Sequence, residues 1–243
     1  MKITTYNMLF GGKEKTHWSR VVADHDPDVF LVQETYAPHE HLSGHGDLHQ
    51  HAAWSPVAGQ AWGSAVYVKS TIRCQITIPV AEFAGWVVGV EVDGLAWSGA
   101  NGRRLRIFSV HAPKIGSYQK AVNSVLNMIH GLTDGADVVI GGDFNLTISQ
   151  RQATESRKTS KKDSAIQNRL RDEFGLVNCW QSANPSKWLD QTLRWQNAPK
   201  TPYHCDGIFV PKAWEGRLQS SGVLSGGEWN DLSDHNPVVA EFD

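Results

Sequence analysis

The chain has 243 residues, a formal net charge of −2 and 40% hydrophobic residues, which are values typical of a globular protein. Such a chain buries roughly 70% of the surface that it exposes when unfolded, so its fold needs no disulfide or metal staple. The net charge excludes a surface that is basic all over, although it leaves room for a local basic patch. The three cysteines have neither metal-type nor redox spacing and are expected to be free thiols in a reducing compartment.

No apolar stretch is long enough to cross a bilayer, and a strand pattern already begins at Lys2, where a signal peptide would stand. We therefore expect a cytoplasmic protein without a membrane anchor. Neither a linker nor a low-complexity segment divides the sequence, which favours one domain over residues 1–243. Nothing in the sequence indicates an obligate protein partner, and a monomer is expected.

The amino-terminal segment is typical of a strand–helix–strand unit. Residues 3–6 are predicted to form a strand that ends at Asn7, residues 13–24 a helix, and residues 28–34 a second strand that ends at Glu34. Such a unit favours parallel pairing, which places both polar strand ends at one edge of the sheet.

A histidine-rich segment follows, with histidines at positions 39, 41, 45, 49 and 51. Imidazole is a common metal ligand, but the spacing fits no standard zinc site. A solvated loop over residues 38–50 is the preferred interpretation.

Residues 52–92 contain short β-rich runs separated by turn residues, which predict an antiparallel meander with strands at 63–68, 73–78 and 86–92. The next strand, 104–111, ends with His111 just before Ala-Pro. Apolar residues at helical spacing then predict a helix over residues 118–132.

Residues 137–145 read Asp-Val-Val-Ile-Gly-Gly-Asp-Phe-Asn. The apolar run is typical of a buried strand, and the paired glycines allow close approach of a ligand or another backbone. Asp143 and Asn145 follow at the strand end, where open α/β folds bind their ligands. A simple polar turn would have the same composition, so this motif alone leaves both interpretations open.

The polar segment 150–162 has five basic residues against Glu155, a net charge of +4. It is predicted to be an exposed loop, either simply solvated or acting as a clamp for substrate phosphates beside Asp143 and Asn145. In the second case Arg151, Lys158 and Lys161 are its substrate-binding residues.

The carboxyl-terminal third is predicted to contain a helix over 163–174 and strands at 176–180, 191–195 and 205–210. Trp188 and Trp195 are interpreted as core residues, with stacking on a nucleobase as the alternative. Both halves of the chain contain strands and helices, so two packed sheets with helices outside are expected.

Polar residues stand at the ends of these strands or in the turns beside them: Asn7, Glu34, His111, Asp143, Asn145, Asp206, Asp234 and His235. If these ends converge, the carboxylates suit a hard cation such as Mg²⁺ or Mn²⁺. A histidine beside an acid can take a proton from water, and amides can donate hydrogen bonds to phosphate oxygens. The set therefore predicts hydrolysis of a phosphate ester.

Six motifs in sequence order carry a family resemblance: Thr5-Tyr-Asn, Gln33-Glu-Thr, Ser109-Val-His-Ala-Pro, Gly141-Gly-Asp-Phe-Asn, His204-Cys-Asp-Gly-Ile-Phe and Ser233-Asp-His. Through them the chain resembles the endonuclease/exonuclease/phosphatase superfamily over nearly its whole length. The resemblance implies a four-layer α/β/β/α sandwich, in which two mixed sheets pack face to face with helices outside.

The resemblance also implies a role for each site residue. Glu34 is expected to be the main Mg²⁺ ligand, with Asn7 and Asp234 close to the metal. His235 is expected to be the general base for the attacking water, oriented by Asp206. Three further roles complete the set: Asp143 and Asn145 position the nucleophile and the phosphate, and His111 stabilises the phosphate or protonates the leaving oxygen.

The family acts on several substrates, and three hypotheses follow. The first is a Mg²⁺-dependent nuclease acting on DNA or RNA. The second is a phosphomonoesterase or phospholipase C-type enzyme acting on inositol phosphates or sphingomyelin, and the third is a binding module that has lost catalysis. The sequence His111-Ala-Pro-Lys differs from the abasic-site endonuclease motif and is more similar to the deoxyribonuclease branch. Cys205-Asp-Gly replaces the commoner Ile-Asp-Tyr, so the packing behind Asp206 is expected to differ.

Overall fold

The computed structural model describes residues 1–11, 16–41, 50–69, 72–93, 104–196, 201 and 203–243. The strands in these ranges are β1 (Lys2–Asn7), β2 (Val29–Thr35), β3 (Ala52–Pro56), β4 (Gly63–Val68), β5 (Arg73–Ile78), β6 (Val87–Asp93), β7 (Leu105–His111), β8 (Asp137–Asp143), β9 (Leu176–Asn178), β10 (Asp206–Pro211), β11 (Leu218–Val223) and β12 (Val238–Phe242). They form two six-stranded sheets, with the orders β11-β12-β1-β2-β4-β3 and β5-β6-β7-β8-β10-β9.

The α-helices of the described residues are α1 (His17–Arg20), α2 (Pro38–His41), α3 (Tyr118–Gly131), α4 (Lys161–Asp172), α5 (Cys179–Ala183) and α6 (Trp229–Leu232). Serine side chains cap the two long ones, since Ser117 accepts a hydrogen bond from the backbone of Lys120 and Ser160 one from that of Asp163. None of these helices has an apolar run that would span a bilayer.

The side chains of β8 alternate between two cores, as expected for a buried strand. Val139 packs between the two sheets, beside Leu31 of β2. Val138 and Ile140 face the opposite side, where they meet α3 and α4.

A third cluster covers the outer face of the first sheet, where Trp18 and Val21 pack on Tyr6 and Phe30. The order of layers is therefore helix, sheet, sheet, helix, which confirms the predicted sandwich. The predicted helix over 13–24 is described from position 16 onward, as α1 followed by a π-helical turn, Val21–His25.

The predicted meander over residues 52–92 is wrong in its pairing. β4 pairs with β3 and β2 in the first sheet, whereas β5 pairs with β6 in the second, so the chain changes sheet between Val68 and Arg73. The hairpins β3–β4 and β5–β6 each turn one face toward the same core between the sheets. Their sequence patterns are therefore alike and do not show that they belong to different sheets.

Two predictions in the carboxyl-terminal third also need correction. The strand predicted over 176–180 ends at Asn178, because the Asn178 side chain accepts a hydrogen bond from the backbone of Gln181 and starts α5. Residues 191–195 form no strand; Leu193 makes isolated bridges to Tyr203 and His235. Trp188 and Trp195 are 60% and 46% exposed, so the core interpretation is wrong for both.

The histidine-rich segment lies mostly outside the described residues. Within the predicted loop 38–50, only α2 and Gln50 are described, and α2 replaces the first part of the loop. Cys179 and Cys205 are buried free thiols, as expected.

Candidate active site

The carboxyl ends of four strands and the start of a fifth meet at one edge of the sandwich. β1 and β2 run in parallel, and Asn7 at the end of β1 pairs with Gln33, the residue before Glu34. In the second sheet, β7 and β8 are also parallel, and His111 lies opposite Asp143. β10 runs antiparallel to β8, so its first residue, Asp206, lies opposite Asp143 as well. The predicted convergence of these side chains follows from this register.

Asn7 links the two sheets. Its Nδ2 atom donates hydrogen bonds to Glu34 Oε1 and to Asp143 Oδ2, both at 3.1 Å. His111 Nε2 lies 3.4 Å from the same Glu34 oxygen and 3.9 Å from Asp143 Oδ2. Asp143 also accepts from the backbone and side-chain amides of Asn145, at 2.8 and 3.2 Å. One connected group therefore contains residues from β1, β2, β7 and the end of β8.

His235 and Asp206 form a second group. His235 Nδ1 lies 2.9 and 3.1 Å from the two carboxylate oxygens of Asp206. The other ring nitrogen, Nε2, lies 3.7 Å from Asp143 Oδ2, so it faces the first group. This geometry orients the imidazole with one nitrogen directed at the acid and the other at the pocket.

The backbone is strained where it presents these side chains. Glu34 and Asn145 have φ values of 50° and 54°, in the left-handed region that non-glycine residues rarely adopt. Gly142 has φ 146°, and a Cβ atom there would lie 1.8 Å from the carbonyl oxygen of Val110. The second glycine of the Gly-Gly pair is therefore required by the close approach of β7 to β8. Strain of this kind is frequent at functional sites.

Residues 191–194 join the strand that carries Asp206 to the loop that carries His235. Thr192 Oγ1 accepts hydrogen bonds from the backbone amides of Cys205 and Asp206, at 2.9 and 3.1 Å. The carbonyl of Thr192 accepts from the Asn236 amide at 2.7 Å, and the Arg194 amide donates to Asp234 O at 2.8 Å.

The Arg194 side chain completes this connection by donating to Asn236 Oδ1 and to Ser233 O. Sequence reasoning missed Thr192 and Arg194, since the alternating pattern around them was interpreted as a strand. Their role depends on partners distant in sequence, which no local motif indicates.

Burial shifts the pKa values of the site in a consistent way. It raises the pKa of Glu34 to about 7, although the hydrogen bond from Asn7 opposes this, and it raises the pKa of Asp143, with the neighbouring Asp206 adding to the effect. Burial lowers the pKa of His111 to about 4. It would also lower the pKa of His235, but the carboxylates of Asp206 and Asp143 outweigh it and raise that pKa to about 10.

These carboxylates fit a divalent cation. Glu34, Asp143 and Asp234 all line one pocket, and buried Asp234 Oδ1 has no hydrogen-bond partner among the described residues. An unpaired buried carboxylate oxygen and a raised carboxyl pKa both indicate missing positive charge. Oxygen donors of this type suit Mg²⁺ or Mn²⁺.

A tighter set, Asp143, Cys205, Asp206 and His235, has ligand atoms within 4.8 Å of one another. It is the poorer cation site for two reasons. The Cys205 thiol, whose pKa is raised well above its usual range by burial, donates to Asp206 Oδ2 at 3.4 Å, and Asp206 is already paired with His235.

The pocket has a volume of about 600 Å³. Besides the acids and both histidines, its lining includes Lys114, Trp195 and Tyr203. Lys114 directly follows the Ala-Pro motif and was not selected from the sequence.

The predicted substrate-binding cations lie elsewhere. Arg151 pairs with Glu155 at 2.7 Å, with both side chains 6% exposed, so it is not the free cation that the phosphate clamp requires. Lys158 and Lys161 are exposed, and neither is among the described residues that line the pocket.

The acids and histidines gathered in one pocket at the joint edge of the two sheets are the residue types that metal-assisted hydrolysis of a phosphoester uses. The chain belongs to the endonuclease/exonuclease/phosphatase family, whose model matches residues 4–235. It is therefore a hydrolase of phosphoester bonds, and the resemblance inferred from the six motifs is confirmed.

Solved structures with the same fold cover the chain almost completely. A Neisseria 3′ phosphatase, NExo, bound to a product DNA hairpin matches with a TM-score of 0.72, 20% identity and coverage of 100% of this chain and 99% of that one. An AP endonuclease from Archaeoglobus fulgidus matches with a TM-score of 0.71, 17% identity and coverage of 100% and 99%. The endonuclease domain of TRAS1, a telomere-specific non-LTR retrotransposon, matches with a TM-score of 0.66, 16% identity and coverage of 99% and 97%.

A curated relative is the transposon TX1 uncharacterized 149 kDa protein of Xenopus laevis, which is 27% identical over 139 residues. The match covers 57% of this chain and 10% of that protein, so the chain spans only a small part of its length.

Proposed function

We propose that residues 1–243 form a single catalytic domain with Mg²⁺-dependent phosphodiesterase activity, and that the enzyme is a nuclease acting on DNA or RNA. The observation that carries this proposal is the pairing of His235 with Asp206 beside the Glu34–Asn7–Asp143 group. His235, Glu34 and Asp143 line one pocket. Metal-assisted hydrolysis needs two parts: a base that takes a proton from water, here the His235–Asp206 pair, and carboxylates that hold the cation, here Glu34 and Asp143.

Glu34 is the proposed main ligand of the metal, with Asn7 and Asp234 close to it. A cation held there, Mg²⁺ or alternatively Mn²⁺, would supply polarisation of a phosphoryl oxygen and would offset charge on the leaving oxygen. The support is the raised pKa of buried Glu34 and the unpaired oxygen of Asp234.

His235 is the proposed general base. Its Nε2 atom faces the pocket and takes the proton of the attacking water, while the Asp206 carboxylate holds Nδ1 and stabilises the imidazolium. The ring must be neutral to accept a proton, whereas its pKa is about 10 because two carboxylates lie beside it. A cation bound beside Asp143 would offset the charge of that carboxylate and so lower this pKa toward the working pH.

Asp143 and Asn145 are proposed to position the nucleophile and the phosphate. His111 has a pKa of about 4 because it is buried, so it is neutral near pH 7. This supports a role as a hydrogen-bond donor to the phosphate and argues against protonation of the leaving oxygen by this residue.

The nuclease assignment is supported by what the similar proteins are: a 3′ phosphatase bound to DNA, an AP endonuclease and the endonuclease domain of a retrotransposon. Lys114 at the pocket gives one cation for a phosphate. Arg151, Lys158 and Lys161 would contact a substrate only if it extended beyond the pocket, and Arg151 would have to leave Glu155.

A specific observation also favours the second candidate, a phosphomonoesterase or phospholipase C-type enzyme. Arg151, Lys158 and Lys161 do not line the pocket. A small substrate that fits inside the pocket, such as an inositol phosphate, therefore does not need these three cations. A catalytically inactive binding module is disfavoured, because every polar position expected of the family is filled.

The deciding experiment is a substrate panel of plasmid DNA, RNA, inositol phosphates and sphingomyelin, run with Mg²⁺ and again with EDTA. We expect metal-dependent cleavage of a polynucleotide, and loss of that cleavage by about 10²–10⁴-fold in His235→Ala while its circular dichroism stays unchanged. Turnover of inositol phosphates alone would decide for the second candidate. A His235→Ala variant as fast as the parent would refute the assignment of the base.

A further inference from the structure

Three aromatic residues lead from His111 to the surface, and we call them the aromatic ladder: Trp86, Trp62 and Phe10. The centroid of the His111 ring lies 5.0 Å from that of Trp86 and 5.9 Å from that of Trp62. The Trp62 ring packs edge-on against two further rings, with centroid distances of 5.4 Å to Trp86 and 5.3 Å to Phe10. Phe10 is 36% exposed and forms the outer end. The ladder therefore begins at a residue of the proposed phosphate site and ends in solvent.

Two glycines next to these tryptophans in sequence lie close to the backbone at the end of β3. A Cβ atom on Gly63, next to Trp62, would lie 1.9 Å from the Ser55 carbonyl oxygen. One on Gly85, next to Trp86, would lie 2.2 Å from the backbone of Pro56 and Val57. The backbone beside each tryptophan is therefore packed against the same short stretch, residues 55–57.

Backbone hydrogen bonds complete this support. The Val57 amide donates to Trp62 O at 2.9 Å, and the His111 amide donates to Trp86 O at 2.8 Å. The position of the ladder is thus coupled directly to the backbone of His111.

The outer end of the ladder is not explained by folding alone. Leu9 and Phe10 stand two and three residues after Asn7, and both have left-handed backbone, with φ values of 45° and 63°. This conformation is unfavourable for side chains with a Cβ atom, and exposed side chains recover little of that free energy by burial. Leu9 is 39% exposed, and its amide donates to Asn7 Oδ1 at 3.1 Å. Strained backbone thus presents an exposed phenyl ring, in contact with Trp62, three residues after the proposed metal-site residue Asn7.

We propose that the aromatic ladder is a stacking subsite for an unpaired nucleobase next to the phosphate that is hydrolysed. The proposal rests on the nuclease function above and defines its substrate class, a single strand or a duplex with a single-stranded end. The reason is geometric: a base inside a duplex already has both faces stacked, whereas an unpaired base can offer a face to Phe10 or Trp62. Aromatic side chains stack on any base, so the subsite selects unpaired bases without reading their sequence.

The test compares wild type, Phe10→Ala and Trp62→Ala on a short single-stranded oligonucleotide and on the same strand paired in a blunt duplex. A third substrate replaces the bases on either side of the cleaved phosphate by abasic spacers. We expect wild type to cleave the single strand faster than the duplex. Each alanine variant should lose about tenfold in kcat/KM on the single strand, mainly through KM, and nothing on the spacer substrate.

Phe10→Tyr and Trp62→Phe retain an aromatic ring and should restore the single-strand rate, which separates stacking from a change in fold. Trp188→Ala is the matched control, because Trp188 is exposed, donates to Thr154 Oγ1 at 3.0 Å and is not part of the aromatic ladder. If Trp62→Ala does not fold, the comparison of Phe10→Ala with Phe10→Tyr is sufficient for the test, because Phe10 is exposed.

Two results would overturn the ladder and leave the nuclease intact: equal losses on the base-containing and spacer substrates, or alanine variants that cleave the single strand like wild type. Loss of activity on sphingomyelin vesicles, but on no oligonucleotide, would assign these aromatic residues to a lipid surface and overturn it too. If wild type cleaves no polynucleotide at all, the nuclease function itself fails, and that outcome is visible before any variant is compared.

Discussion

The hydroxyl group of Thr192 provides a sharp test of how the base dyad is held. In Thr192→Val the side chain keeps its shape but no longer accepts the backbone amides of Cys205 and Asp206. Leaving a buried amide unsatisfied costs roughly 1–3 kcal/mol, so two of them predict a loss of about 2 kcal/mol or more in the free energy of unfolding. For a chain of this size, that corresponds to a melting temperature about 4–8 °C lower.

Activity should fall more than stability alone explains. The two amides lie at the start of β10, and the Asp206 side chain there orients His235. A small shift of this strand start would therefore misplace the proposed base, His235. We expect kcat to fall by about 10- to 100-fold with little change in KM, since the phosphate and metal groups are untouched.

Thr4→Val is the matched control. Thr4 is fully buried in β1, and its Oγ1 atom has no hydrogen-bond partner among the described residues. Removing that hydroxyl should be neutral or slightly stabilising. Urea unfolding and initial cleavage rates of both variants decide the matter. If Thr192→Val behaves like Thr4→Val in both measurements, the reasoning about residues 191–194 is refuted.

Three further predictions follow from the site. Glu34→Gln should weaken Mg²⁺ binding by about tenfold or more in calorimetry, because a ligand charge is lost while the hydrogen bond from Asn7 can remain; unchanged binding would remove Glu34 from the metal site. Asp206→Asn should lower the pKa of His235 from about 10, since the carboxylate raises it, and an unchanged histidine titration by NMR would contradict this. His204, whose pKa is lowered to about 4 by burial, stays neutral in the folded chain while the unfolded chain takes up a proton below pH 6.5. Through this residue, the free energy of unfolding should therefore fall by about 2 kcal/mol between pH 7 and pH 5. Urea unfolding at the two pH values should show a smaller fall for His204→Asn than for wild type. An equal fall in both proteins would show that His204 is not its source.

Local patterns predicted the parts of the molecule whose structure depends on neighbours in sequence. The continuous apolar run of β8 identified a strand buried on both faces, and the apolar spacing of α3 identified a helix with one buried face. The same reasoning failed at 191–195, where alternation was present but the partners are Tyr203 and His235. It also failed at Trp188 and Trp195, since a large apolar side chain in a loop has no period from which burial could be inferred.

What the sequence determined by itself is the set of polar residues that end strands, and through their motifs the family and the sandwich fold. Only the tertiary structure decided how they meet: Asn7 between Glu34 and Asp143, His235 against Asp206, and Arg151 paired away from the pocket. The physical reason is that strand formation follows from local periodicity, whereas hydrogen bonds between sheets depend on register and packing over more than a hundred residues. The same packing put Trp62 and Trp86 beside His111, which no spacing in the sequence indicates.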